Sequence, residues 1–131
     1  MLPSRTISTS IDRNWREVYE AFWQPQDFAK WASGLAQGQL TQRGDIWTAR
    51  GPEGPIAIRF SPHNDFGVLD HVVETAPGVE IYVPLRIIAN GGGADVQLTL
   101  FRQPGMSNER FAADAALVEN DLQALKKLAE T

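Results

Sequence analysis

The sequence predicts an α+β protein in which an antiparallel sheet packs its apolar face against one long C-terminal helix. Between residues 107 and 130, apolar side chains recur at spacings of three and four, which places them on one stripe of an α-helix. From residue 40 to residue 102 the apolar side chains follow a period of two instead, as in strands with one buried face. The 131 residues suffice for one domain, residues 1–131, with its own core.

The first elements are a strand and a pair of short helices. Residues 5–11 alternate and predict a strand. Asn14 and Glu17 follow with the spacing of a capping box, and an apolar stripe after them predicts a helix of about ten residues. Pro25 interrupts this helix, and a second helical turn or two ends at Gly34, a plausible position for a C-terminal glycine.

Strands and turns then alternate to residue 102. Turn-forming residues separate segments predicted as strands at residues 46–50, 56–60, 66–74, 79–89 and 94–102. With the first strand, they predict a sheet of six or seven strands.

The last hairpin can be checked for consistency. A four-residue turn at 90–93 pairs Ala89 with Ala94, Ile87 with Val96, Leu85 with Leu98 and Val83 with Leu100. Every pair is apolar, as one buried face requires. The same register places Tyr82 opposite Phe101 on the outer face, either as cross-strand packing or as an association surface.

The C-terminal helix has well-placed ends and one apolar stripe. Ser107 is a good N-cap, and Lys126 and Lys127 lie near the last turn. The stripe contains Phe111, Ala115, Val118, Leu122, Leu125 and Ala129, with the charged residues of the helix, Asp121 among them, largely off it. A twisted sheet curls, so it can grip such a helix and leave a cavity between the two layers.

Composition excludes several classes of function. Charged residues at 21% and hydrophobic residues at 43% argue against disorder. A net charge of −4 without a basic run argues against nucleic acid and anionic membranes as partners. No stretch approaches 18 apolar residues and none resembles a signal peptide, so we expect no membrane span and a cytoplasmic location. There is no cysteine, no histidine pair with metal-ligand spacing and no phosphate-binding or dinucleotide motif, so we expect neither metal nor cofactor.

The chain resembles a known family over nearly its whole length. The residues that carry the resemblance are IDRNWREVYEAFWQPQDFAKWASGL, then FGVLDHVVE, then LTLFRQPGMSNERFAADAALVENDLQALKKL. They are similar to the helix-grip fold of the START-like (SRPBCC) superfamily, and within it to the polyketide cyclase/dehydrase and lipid-transport group. The resemblance implies a curved sheet wrapped around the C-terminal helix and a hydrophobic small molecule bound between them. Some members of the family are cyclases, and others are carriers or regulators.

Three functions follow as hypotheses. The first is binding of a lipid or polyketide-like molecule by Trp31, Asp70, Val83, Leu85, Leu98, Phe111, Ala115, Val118 and Leu122. The second is a cyclase or dehydratase with Asp70 or His71 as its acid or base, and the sequence leaves open whether any reaction is catalysed. The third is a structural or regulatory partner protein that uses the outer face of the sheet, and a homodimer is also left open.

Asp70 and His71 are adjacent on one strand, so they point to opposite faces. A turn of even length before Val79, either Pro77-Gly78 or residues 75–78, directs Asp70 inward. A three-residue turn directs His71 inward instead, but it places Pro77 at a disfavoured position. We therefore expect Asp70 to face the cavity.

Overall fold

The computed structural model describes all 131 residues. The elements in chain order are β1 Ser4–Ile11, α1 Trp15–Phe22, α2 Pro25–Trp31, β2 Gln37–Arg43, β3 Ile46–Gly51, β4 Gly54–Phe60, β5 His71–Ala76, β6 Val79–Val83, β7 Leu85–Asn90, β8 Gly93–Phe101 and α3 Asn108–Ala129. The α+β class, the long C-terminal helix and the two short helices are confirmed.

The strands form two antiparallel sheets, with orders β1-β8-β7 and β2-β3-β4-β5-β6. There are eight strands instead of the six or seven expected, because the segment predicted as one strand at 79–89 is divided at Pro84 and because β2 was not among the predicted segments. Proline has no N–H to donate to a ladder. Its carbonyl still accepts a hydrogen bond from the Thr99 N–H at 3.0 Å, while β6 pairs with β5 and β7 pairs with β8.

The register predicted for the last hairpin is confirmed in three of its four pairs. Leu85 lies opposite Leu98, Ile87 opposite Val96 and Ala89 opposite Ala94. The fourth pair, Val83 with Leu100, does not form because Val83 belongs to β6 and pairs with His71 of β5.

A short extended segment before β5 joins the two sheets. The Leu69 N–H donates to the Leu85 carbonyl at 2.8 Å, and the Ile87 N–H donates to the Gly67 carbonyl at 2.9 Å. The strand predicted at 66–74 is therefore divided, with its first part bound to β7 and its second part forming β5. This link lets the two sheets act as one curved layer around α3.

The helices begin where the sequence places their caps. The Asn14 side chain accepts from the Arg16 N–H at 2.9 Å, and the Ser107 hydroxyl accepts from the Arg110 N–H at 3.1 Å. On α3, the apolar residues that are buried all come from the predicted stripe: Ala115, Leu122, Leu125 and Ala129. They join a single apolar core with residues of both sheets and both short helices.

Gly67 is the tightest backbone approach in the link between the sheets. Its φ is +69°, and a Cβ added there would lie 2.1 Å from the Ile87 carbonyl oxygen. Gly78 has a similar φ of +77°, but a Cβ there would meet nothing within 4 Å. A residue with a Cβ would be strained by the left-handed conformation at either position. Only at position 67 would it also clash with the backbone of β7.

Substitution of Gly67 by alanine should therefore cost several times more stability than substitution of Gly78. We expect Gly78→Ala to lower the free energy of unfolding by about 1 to 2 kcal/mol, and Gly67→Ala by well beyond that. Urea denaturation of both variants measures the difference. Equal losses would show that the approach of Gly67 to β7 is not a constraint on the fold.

Candidate functional site

A cavity of about 560 Å³ lies between the concave side of the sheet, α2 and α3. This volume is in the range of small-molecule sites. Most of its lining is apolar, including Phe28, Trp31, Ile56, Val73, Val83, Leu98 and Val118. A wider and more open hollow on β2 and β3 has only Ala49 as a hydrophobic lining residue, so it would bury little of an apolar ligand.

The structure brings four of the predicted ligand-binding residues to the cavity. They are Trp31, Val83, Leu98 and Val118. The other five do not line it: Leu85, Ala115 and Leu122 are buried in the core, Phe111 is half-buried, and Asp70 lies on the outer face. Helix α3 presents a neighbouring stripe to the cavity, made of Arg110, Ala113, Asp114, Leu117, Val118 and Asp121.

The expectation that Asp70 faces the cavity is wrong, and a β-bulge is the reason. The turn does have the favoured two residues, because Ala76 pairs with Val79 across Pro77-Gly78. Between Glu74 and Ala76, however, the register shifts by one residue. The odd-numbered residues of β5 therefore face the cavity with Val83, and Asp70 faces outward.

Asp70 is held on the outer face by four hydrogen bonds. The guanidinium of Arg86 donates to both of its oxygens at 2.9 and 2.7 Å, the Tyr82 hydroxyl donates at 2.7 Å and the Leu85 N–H at 2.9 Å. Burial alone would raise the pKa of Asp70, but these donors outweigh it and lower the pKa to about 2. A carboxylate so strongly held in its ionised form is a poor proton carrier at neutral pH.

Tyr82 stacks on Phe101, although the pairing predicted for these two residues does not form. The ring centroids are 6.4 Å apart, and Tyr82 remains about half exposed. Tyr82 pairs with Val72 of β5 and Phe101 pairs with Ser4 of β1, so the stacking joins the two sheets. The Tyr82 hydroxyl is already engaged by Asp70.

His71 takes the inward position beside the cavity. Its side chain is buried, and the rings of Phe28 and Phe60 lie 5.1 and 5.7 Å from it. Its Nδ1 is 3.0 Å from the Leu69 carbonyl oxygen, which can only accept, so Nδ1 carries the proton and Nε2 keeps a free lone pair. Burial lowers the pKa of His71, against a smaller opposing effect of that hydrogen bond. The imidazole is therefore neutral at pH 7.

Asp121 is a cavity residue that the sequence does not predict. It lies on α3 with 9% of its surface exposed, and its Oδ1 accepts a hydrogen bond from the Gly34 N–H at 3.1 Å. Burial raises the pKa of Asp121 from 3.8 to about 6, and the Gly34 hydrogen bond offsets only part of this. The periodicity of α3 alone cannot reveal this role, because the loop after α2 covers a side of the helix that the sheet does not reach.

Trp31 lines the cavity with its ring, while its indole N–H is buried. The side chain is 2% exposed and packs edge-on against Phe28, with ring centroids 5.2 Å apart. Its Nε1 has no hydrogen-bond partner, and it is the only buried side-chain nitrogen or oxygen in this condition. A buried N–H without an acceptor costs about 1 to 3 kcal/mol.

Charged residues surround the cavity opening. Arg110 of α3 contacts Glu53 of the β3–β4 turn at 2.7 Å and Asp114 of its own helix at 3.0 Å. All three line the cavity, and Arg110 is the only basic residue that does. Because the pairs are exposed, they contribute little stability, but they engage the only cation near the ligand space.

Comparisons with known proteins show the fold. No family model and no curated protein matches the chain. Among solved structures, XoxI from Bacillus cereus superposes with a TM-score of 0.75 at 17% identity, covering 98% of this chain and 96% of its own. DynU16, from the dynemicin biosynthetic locus, gives 0.72 at 18% identity, covering 98% of this chain and 47% of its own. Ara h 8.0201 gives 0.68 at 9% identity, covering 98% of both chains.

At these identities the likeness establishes architecture only, and the expected helix-grip fold is confirmed. No helix in the chain combines the length and the apolar character needed to cross a bilayer. Nowhere do three His, Asp or Glu side chains converge as metal ligands would.

The raised pKa of Asp121 predicts a pH-dependent cost to stability. A folded-state pKa of about 6 lies above the unfolded value, so the folded state holds the extra proton between about pH 4 and 6. The contribution of Asp121 is therefore least unfavourable below pH 4 and most unfavourable above pH 6. The folded-state pKa of His71 is lowered, so its contribution to stability decreases as the pH falls.

Asp121→Asn should raise the free energy of unfolding at pH 7 by about 1 to 2 kcal/mol, allowing for the solvent that reaches the cavity. The stability gained over the parent should shrink as the pH falls from 6 to 4. Because both proteins contain His71, its contribution cancels when the free energies of unfolding are subtracted. Denaturant titrations at several pH values measure it. Glu119→Gln, on an exposed side of the same helix, is the control. A gain for Asp121→Asn that does not vary with pH would contradict the assignment.

Proposed function

We propose that this protein binds a hydrophobic small molecule in the cavity between the sheet and α3. The observation that carries the proposal is a largely apolar cavity of about 560 Å³ between layers that otherwise share a single packed core. Protein interiors leave few voids larger than a water molecule, because the lining of an empty space loses its packing contacts. A bound apolar molecule would restore those contacts.

The likeness to solved structures supports this proposal at the level of fold. DynU16 is a protein of the dynemicin biosynthetic locus, and its fold is compatible with the polyketide-like ligand that we propose. We accordingly assign residues 1–131 to one START-like domain near the polyketide cyclase and lipid-transport group. A cytoplasmic location and a homodimer stay predictions.

A second candidate, catalysis in the same cavity, is favoured by one observation. The free Nε2 of His71 is an acceptor in an apolar site, and its lowered pKa keeps it unprotonated at neutral pH. Such an imidazole could take a proton from a carbon next to a carbonyl group, the first step of an aldol-type cyclisation. Asp70 is no longer a candidate for this role, because it lies on the outer face.

A matched pair of substitutions on α3 tests the binding proposal. Leu117 and Leu128 are 42% and 43% exposed, but only Leu117 lines the cavity. We expect the neutral, environment-sensitive dye Nile red to bind the parent with about 1:1 stoichiometry. Leu117→Glu should weaken this binding about tenfold or more, because it places a charge at the opening, and Leu128→Glu should leave it unchanged. Fluorescence titration measures both.

Two results would count against the proposal. One is the lack of saturable dye binding at micromolar concentrations. The other is an equal loss in the two variants, which would show that the dye binds elsewhere.

The catalytic candidate has its own test. His71→Gln should abolish cyclisation of an apolar β-polycarbonyl compound while changing the Nile red dissociation constant by no more than about twofold. Product formation followed by chromatography measures the first quantity. Unchanged turnover in this variant, or no turnover in the parent, would remove the catalytic hypothesis and leave the binding proposal intact.

A further inference from the structure

The polar atoms of the cavity differ in what they can offer a ligand. The Trp31 Nε1 is a donor without an acceptor in the protein, but it is fully buried and so not within reach of a ligand. The His71 Nε2 can only accept, because the Nδ1–H is committed to the Leu69 carbonyl. Asp121 uses Oδ1 for the Gly34 N–H and has no protein donor at Oδ2. The buried side chains therefore offer a ligand two acceptors, while the polar lining residues Thr75 and Gln103 are more exposed.

The charges around the cavity disfavour an anion. The charged lining residues are Glu53, Asp114 and Asp121 against Arg110 alone, with His71 neutral. Arg110 is bound to Glu53 and Asp114 at the opening. A carboxylate carried into the apolar part of the cavity would lose its hydration and meet Asp121 without a free cation. Burial of an uncompensated charge is strongly unfavourable.

We propose that the cavity selects an uncharged ligand with an apolar body and a hydroxyl donor, and that it discriminates against fatty-acid anions. The inference rests on the proposed function and narrows it. A hydroxyl on the ligand donates to the His71 Nε2 or the Asp121 Oδ2. His71 and Asp121 are the specificity-determining residues.

Sites that hydrogen-bond a substrate hydroxyl reject analogues without it far more strongly than apolar pockets reject a missing methylene. The reason is that the polar groups of the site are left unpaired when the analogue binds. Among ligands with the same ring system, the affinity for this cavity should therefore depend mainly on the polar group that the ligand carries.

Three probes with one ring system separate these effects: naphthalene, 2-naphthol and 2-naphthoate. Competition with Nile red at pH 7.5 gives the relative affinities. In the parent we expect 2-naphthol to bind about tenfold more tightly than naphthalene, and 2-naphthoate to bind more weakly than naphthalene.

Two variants identify the groups responsible. Asp121→Asn removes the charge, so it should raise the affinity for 2-naphthoate about tenfold while leaving naphthalene unchanged. Glu119→Gln removes a carboxylate from an exposed side of the same helix and should change none of the three affinities. His71→Phe keeps an aromatic ring but removes the acceptor Nε2, so it should reduce the preference for 2-naphthol over naphthalene.

The outcomes distinguish this inference from the proposed function. If naphthalene displaces Nile red but 2-naphthol binds no better and 2-naphthoate no worse, the binding proposal stands and the inference is overturned. An unchanged 2-naphthoate affinity in Asp121→Asn also overturns it. If Nile red does not bind the protein at all, both proposals fail.

Discussion

The β-bulge at Thr75 is the constraint that decides what the cavity can do. It adds one residue to β5 relative to β6, so His71 faces the cavity and Asp70 faces outward. Without it, a two-residue turn would reverse every side chain of β5. A neutral imidazole would then give way to a carboxylate, and the Arg86 network would lose its centre. The bulge thus fixes the chemistry of the cavity and the ion pair that holds β7 to the segment before β5.

The long elements and the last hairpin could be predicted from the sequence, because local patterns determine them. Ser107 and the apolar stripe of α3 identify the helix, and the pairing of Leu85 with Leu98 follows from the alternation of two adjacent strands. The bulge could not be predicted in this way. Its position depends on how β5 bends to meet both β4 and β6, and loop length alone does not contain that information. Pro84 was visible in the sequence, and its missing N–H was the available signal for the change of partner strand.

Asp121 escaped prediction for a different reason. An apolar stripe identifies the side of a helix that packs against one neighbouring element. Helix α3 packs against two, the sheet and the loop after α2. Gly34 allows this second approach, because a Cβ at that position would lie 3.0 Å from the Asp121 Oδ2. The same glycine supplies the N–H that binds Oδ1. The proximity of residues 34 and 121 is a tertiary fact, so no local pattern could have indicated it.

The contrast between the two faces of the sheet argues that the cavity is the functional part of the molecule. On the outer face, Asp70 has four donors and a lowered pKa, so this carboxylate stabilises the fold in its ionised form. Inside, the His71 Nε2 and the Asp121 Oδ2 have no partner in the protein. Burial lowers the pKa of His71 and raises that of Asp121, which favours the neutral form of each. A core selected for stability alone would be expected to replace such groups by apolar ones of similar size. Polar groups left incompletely satisfied around one cavity are what a binding site requires, because the missing partners are then those of the ligand.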